Sequence, residues 1–404
     1  MSGRSDTLSK AHGHDPLLLN ASQGFVARLD AFIDDAVKHV PFYADRLASS
    51  RNGNPGRFRD LRPVTKSELV RTTTLALTNS RFDAANLRIE RTTGSSGQPF
   101  SVAMHRSYLL RRNWRFLRAL LDVGYRPGQR VMLVARTGEP TQKDRFGWCY
   151  ARIDQPVEML YVRYQAIKPS ILYGCVTPLR LLAEYARKNG KPLHRPNLVI
   201  TTAEGLTDAA HDHISREFQA PVSDFYGCTE MGLVAWKRPG AAYYETFDNS
   251  IAIELAPYSP NAGWYQLILT NLELRSMPIL RLQIGDLAEV RAFDSTPRIV
   301  RFQGREIDAL IREDEVISPY AVTTQLEKIE DLNRFQLTQV SPRRFDVDVE
   351  CDAGAKLAVA QQIKSCLRET FGNDIEIALN FVDKIPVEML RKFRPIRSLV
   401  GRQE

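Results

Sequence analysis

Residues 197–232 read NLVITTAEGLTDAAHDHISREFQAPVSDFYGCTEMG. The run NLVITTA has the texture of a strand, DAAHDHISREF (208–218) that of a helix, and PVSDFYG (221–227) that of a strand again. Two strands joined through a helix run parallel, because a hairpin would need only a short turn between them. The same alternation extends upstream. RVMLVA (130–135) and SILYG (170–174) read as strands, and VTPLRLLAEYARKNG (176–190) as a helix ended at Gly190. The expected fold class is therefore α/β, a large layered domain with mixed sheets.

Moving outward, the texture changes near residue 243 to short alternating strands, IAIELA, WYQLILTNL, LAEVRA and RIVRF. The last hundred residues mix TTQLEKIE, FQLTQV, FDVDVE, the helical AVAQQIKSCLRETFG and IEIALNFV, which suggests a small hinged α+β unit. We expect a large domain over 1–304 and a small mobile one over 305–404. Near the N-terminus, Phe25, Leu29, Phe32, Ile33 and Ala36 recur at helical spacing that stops before Pro41. VTKSEL (64–69) reads as a helix start capped by Thr65 or Ser67. A long helix is expected from Arg106 to Leu121, closed by Gly124.

Composition bounds the function. With 404 residues, 43% hydrophobic and 25% charged, the chain can bury a sizeable core. Its longest early apolar run, Leu17–Leu19, is too short for a signal-peptide core, and no later segment approaches a membrane span, so cytoplasmic residence is the expectation. The five cysteines form no CxxC pair, which argues against a disulfide framework or a structural zinc site. A net charge of +8 raises the question of polyanions, but no nucleic-acid module appears. Arg111, Arg112, Arg115 and Arg118 are expected on a solvated helix face. His105, His194, His211 and His213 read as surface residues.

Several loops carry chemistry. Thr92-Thr93-Gly94-Ser95-Ser96-Gly97 sits between two apolar segments and is either a hairpin turn or an anion cradle, since glycine lets backbone N–H groups converge and hydroxyls add donors. It lacks the Gly-Lys-Ser/Thr ending of a Walker loop. SDFYGCTEMG (223–232) puts Tyr226, Thr229 and Glu230 around a glycine turn, PILRLQIGDLAEV (278–290) ends a strand on Gly285-Asp286, and RFQGREIDAL (301–310) brackets Gly304 with Arg301 and Arg305.

In that order these motifs resemble the adenylate-forming superfamily of acyl-CoA synthetases. Within it, VPFYADRL (40–47), LRPVTKSEL (61–69) and IKPSILYGCVTPLRLLAEYA (167–186) are similar to the phenylacetate–CoA ligase and capsule-biosynthesis branch. The resemblance implies that Thr92, Thr93, Gly94, Ser95, Ser96 and Gly97 wrap the ATP phosphates, and that Ala203, Glu204 and Gly205 lie along adenine with Tyr226 and Gly227 beside it. It implies that Thr229 bonds the α-phosphate, Glu230 ligates Mg²⁺, Asp286 holds the ribose with help from Arg301, and Arg305 lies at the domain boundary. It points to Lys392, with Lys384 as the alternative, as the lysine bridging carboxylate and α-phosphate. Trp148, Tyr150 and Phe225 fall where an acyl pocket would, unless they are simply core. The implied reaction joins a carboxylic acid, aryl or small, to AMP and passes the acyl group to coenzyme A, a phosphopantetheine carrier protein or an amine. A nucleotide-binding regulatory protein that has lost catalysis is the other reading, and a homodimer is an open association state. The chain departs from the family at Gln98, where relatives have lysine, at Leu390-Arg391, where they have Ser-Gly, and at the hinge segment Glu306-Ile307-Asp308.

Overall fold

Two compact units make up the structure, a computed structural model, and neither unit is one continuous stretch of chain. The first comprises residues 1–122, 226–237 and 241–301, the second 123–225, 238–240 and 302–404. The residues described are 16–19, 22–48, 61–91, 100–135, 147–258, 263–305, 309–313, 315–385 and 393–400.

The first unit rests on an antiparallel sheet in the order Leu17–Leu18, Ile251–Pro257, Trp264–Asn271, Leu282–Phe293, Thr296–Arg305. Val64–Thr65 adds itself in parallel beside Leu282 and Gln283. The expected N-terminal helix is present as Gln23–His39, capped by Ser22, and Pro41 opens a second helix to Ala48. Proline suits that position because a first-turn N–H has no partner inside the helix. Phe25, Leu29, Phe32, Ile33 and Ala36 form the buried face, packed with Tyr43, Ala252 and Leu280. Tyr43 fastens the contact by donating to the Pro278 carbonyl at 3.1 Å and accepting from the Leu280 N–H at 3.0 Å. Beneath the sheet, Arg281 makes a bidentate pair with Glu254 (2.8 and 3.1 Å) and donates to the Leu61 carbonyl at 2.6 Å. Both side chains are buried, so removing one partner would strand the other's charge.

The second unit holds the parallel strands read from the sequence. Their order is Cys149–Arg152, Val131–Ala135, Ile171–Cys175, Leu198–Thr202, Val222–Cys228, all pairs parallel. Helices Val157–Ile167, Val176–Lys188 and Asp208–Phe218 pack their apolar faces on this sheet around Leu160, Leu179, Leu182 and Ile214. Near-continuous apolar strands such as Leu198–Thr202 follow from burial on both faces. The remainder of this unit has the α+β texture anticipated. A sheet ordered Glu376–Phe381, Arg344–Cys351, Leu332–Ser341, Ile396–Ser398 packs on helices Pro319–Leu326 and Lys356–Phe371, with a core of its own around Leu337, Phe345, Ile363 and Leu367. Polar contacts tie this part to helices 176–188 and 208–218. Arg180 pairs with Glu327 at 2.5 Å, Thr207 donates to the same carboxylate, and Lys188 reaches Asp352 at 2.8 Å.

Candidate active site

Strand 222–228 turns at Thr229–Met231 and returns as Gly232–Lys237. The turn is tight enough to dictate its glycine: a Cβ on Gly227 would lie 2.4 Å from the Gly232 carbonyl oxygen. Helix Arg106–Asp122 braces the turn, with Arg115 donating to the Met231 carbonyl at 2.8 Å and pairing with Glu273 at 3.1 Å. Asn271 donates to the Glu230 carbonyl at 3.2 Å and to the Tyr108 hydroxyl at 2.9 Å. This corrects the expectation of a uniformly solvated arginine face. Arg115 is buried, and Arg112 is held bidentately by Glu90 at 2.7 and 3.0 Å, because the helix turns that side toward strand Leu87–Arg91 and the turn at Thr229–Met231.

Two of the sequence motifs meet here. The Tyr226 hydroxyl donates to the Asp286 carboxylate at 2.7 Å, joining the glycine turn to the Gly-Asp motif. Gly285, at φ +80, provides the left-handed step just before that aspartate. Glu230 is buried and pairs with Lys66 at 2.7 Å. Burial alone would push its carboxyl up, but the Lys66 ammonium outweighs that and holds it below the ordinary value, so it is charged at neutral pH. The Cys228 thiol, pushed well up by burial, feels the charge of both Glu230 and Asp286. It is therefore an inert neutral group between two carboxylates rather than a nucleophile. Thr229 occupies the turn itself and is half-buried. Arg301 pairs with Glu289 at 3.0 Å, which also binds Arg291 at 2.6 Å.

In the second unit, Ala203 takes a left-handed φ of 66° where strand 198–202 ends, a conformation that non-glycine residues seldom adopt. Glu204 accepts from the Thr177 N–H at 2.7 Å and so caps helix 176–188 in place of the Cys175 side chain, which makes no cap bond. Gly205 is exposed. Trp148 and Phe225 are buried, edge-to-face with Tyr125 and Tyr173 at 6.2 and 5.9 Å, while Tyr150 is half-buried. Arg305 ends strand 296–305, and Lys384 is exposed. Thr92, Thr93, Gly94, Ser95, Ser96, Gly97, Gln98 and Lys392 lie outside the described residues. His105, His194, His211 and His213 are all half-buried rather than surface residues; burial and then the Arg180 charge push His213 down to about 4.

Lys66, Arg115 and Asn271 escaped the sequence reading. Lys66 lies inside VTKSEL, a pattern that signals a helix cap and nothing about a distant carboxylate. Thr65 is indeed the cap, in a reciprocal box with Glu68. The parallel pairing of Val64–Thr65 with Leu282–Gln283 sets Lys66 beside the strand that carries Asp286, a register that local pattern does not encode.

Residues 310–398 match the CapK C-terminal domain family. Protein CapK of Staphylococcus aureus is 23% identical over 397 residues, covering 89% of this chain and 85% of its own. A 2-hydroxyisobutyryl-CoA ligase, solved in the postadenylation state with 2-HIB-AMP, superposes at a TM-score of 0.77 with 17% identity, over 100% of this chain and 96% of that one. The anthranilate CoA ligase AuaEII, solved with anthranoyl-AMP, superposes at 0.58 with 16% identity, over 78% and 67%. The fold is that of the adenylate-forming ligases. In sequence the chain is similar to CapK, over residues 310–398 by the domain family and at 23% identity over most of its length, which agrees with the capsule-biosynthesis branch its motifs resemble.

Proposed function

We propose that the protein activates a carboxylic acid with ATP, forming an acyl-adenylate, and then passes the acyl group to a thiol. The observation that carries this reading is the meeting of Tyr226 with Asp286 and of Glu230 with Lys66 in one unit, across wide sequence separations. In the first step a carboxylate oxygen bonds to the α-phosphorus and the bond to pyrophosphate breaks. In the second, the acceptor sulfur bonds to the acyl carbon, AMP leaves, and the thiol proton is released. Coenzyme A is the acceptor we favour, since the structural relatives solved with adenylates are named as CoA ligases.

The residues suit those demands. Asp286, oriented by the Tyr226 hydroxyl, would accept from the ribose hydroxyls, and Thr229 would donate to the α-phosphate. Glu230 suits Mg²⁺ as a charged oxygen donor. Mg²⁺ typically takes one or two carboxylates together with phosphate oxygens and water. When bound, it would neutralise phosphate charge against the incoming carboxylate. Lys66 already lies against Glu230 and would add positive charge on the same side. Residues 305–404 would form the mobile small domain carrying Lys392, supported by their separate core and by the family match. No helix among the described residues is long and apolar enough to cross a membrane, and we place the reaction in the cytoplasm.

Acid-dependent exchange of labelled pyrophosphate into ATP, run over a panel of aryl and short aliphatic acids, tests the reading. At least one acid should support exchange, and Glu230→Gln should reduce it by roughly a hundredfold or more, in line with loss of an electrostatic stabiliser. Exchange with no acid in the panel, or full activity in the variant, removes the proposal.

A further inference from the structure

Helix 106–122 turns Tyr108, Arg115, Ala119 and Leu120 inward. Its other side is unusual for a surface helix. Leu110 is 70% exposed, Trp114 65% and Leu121 39%. At about 100° per residue these three fall within an arc of roughly 40°, a seam on the order of 16 Å long. Arg111 and Arg118 are also exposed, and the same rotation puts both on one flank of the seam. The helix's other two central arginines are engaged in ion pairs, Arg112 with Glu90 and Arg115 with Glu273, while the Arg118 guanidinium lies 6.0 Å from the centre of the Phe247 ring and keeps no carboxylate partner among the ion pairs of the described residues. An exposed tryptophan between leucines, bordered by Arg111 and Arg118 on one flank and by Arg106 only at the N-terminal end of the other, has the composition of a binding hot spot rather than of a solvated face.

We propose that this face docks an amphipathic helix of a partner protein, apolar residues on the Leu110–Trp114–Leu121 seam and carboxylates along Arg111 and Arg118. Charge selects this occupant. A second copy of the same helix, laid antiparallel about a crossing two-fold axis, would set Arg111 and Arg118 against their own copies. An acidic helix meets apolar surface and complementary charge together, the helix-in-groove mode of recognition. The inference stands on the exposed face alone and does not depend on the adenylation reading.

The probe is a synthetic helix with a leucine seam flanked by glutamates, compared with the same helix flanked by lysines. Trp114 is the most exposed of the four tryptophans, Trp148 and Trp236 being buried and Trp264 half-buried, and subtracting the response of a Trp114→Phe variant isolates its emission. The glutamate peptide should shift Trp114 emission to the blue, saturably, and rising salt should weaken the effect. Arg111→Glu with Arg118→Glu should lower its affinity by roughly tenfold or more and favour the lysine peptide instead, with the far-UV circular dichroism and the urea unfolding midpoint retained. Equal response to both peptides, or response to neither, overturns the proposal. So do dimers in sedimentation that Trp114→Ala disperses, or a blue shift with anionic vesicles but not with the glutamate peptide.

Discussion

Glu68 illustrates how much one side chain can hold. It closes the capping box on Thr65, in the helix that presents Lys66, and takes Arg46 at 2.9 Å and Arg62 at 2.8 Å. Burial pushes its carboxyl up, but the Thr65 N–H, the Thr65 hydroxyl and the Arg46 guanidinium prevail and hold it at about 2. A folded-state value below the unfolded one stabilises the protein above the unfolded value, and that stability is lost as pH falls toward 2. Glu68→Gln should therefore cost on the order of 2 kcal/mol at neutral pH, the figure reduced for partial exposure. Urea denaturation of both proteins at several pH values checks this: the gap should narrow steadily below about pH 4.5. A gap that stays constant with pH would mean that packing, not charge, is what the variant lost.

Between residues and domains lies the 222–237 hairpin, where spacing rather than charge governs. Gly227→Ala forces a methyl onto the Gly232 carbonyl, a backbone atom that cannot rotate away. We expect a loss of about 2–3 kcal/mol by chemical denaturation, typical of overpacking, together with weaker nucleotide binding as Tyr226 shifts from Asp286. Wild-type stability in this variant would show that the hairpin tolerates opening. The glycine was legible in YGCTE as a turn. The brace behind it was not: Arg115 comes from a helix more than a hundred residues earlier, and its helical spacing looked the same as that of the exposed Arg111 and Arg118.

At the scale of the whole molecule, the C-terminal part has its own core yet is tied to helices 176–188 and 208–218 by Glu327, which serves Arg180 and Thr207 together. The side chains of Arg180 and Glu327 are 21% and 11% exposed, so solvent screens the pair only partly. A double-mutant cycle with Arg180→Ala and Glu327→Gln should give a coupling of about 1–2 kcal/mol, and hydrogen exchange should rise in residues 319–326 when the pair is broken. Additive effects with unchanged exchange would mean that the apolar surfaces alone hold this part in place.

The sequence by itself determined the class of fold and the order of the elements. Alternating strands and helices, the cap at Thr65, and the α+β texture of the C-terminal part are set by contacts within a few residues, which local pattern encodes. It also named Tyr226, Glu230 and Asp286 before anything placed them together. Only the tertiary structure decided what those residues touch. The register that sets Lys66 beside Glu230, the burial that keeps the Cys228 thiol neutral, and the rotation of one helix that hides Arg115 while exposing Trp114 all depend on chain segments far apart in sequence. Charge and burial act through space, and space is what a linear pattern leaves open.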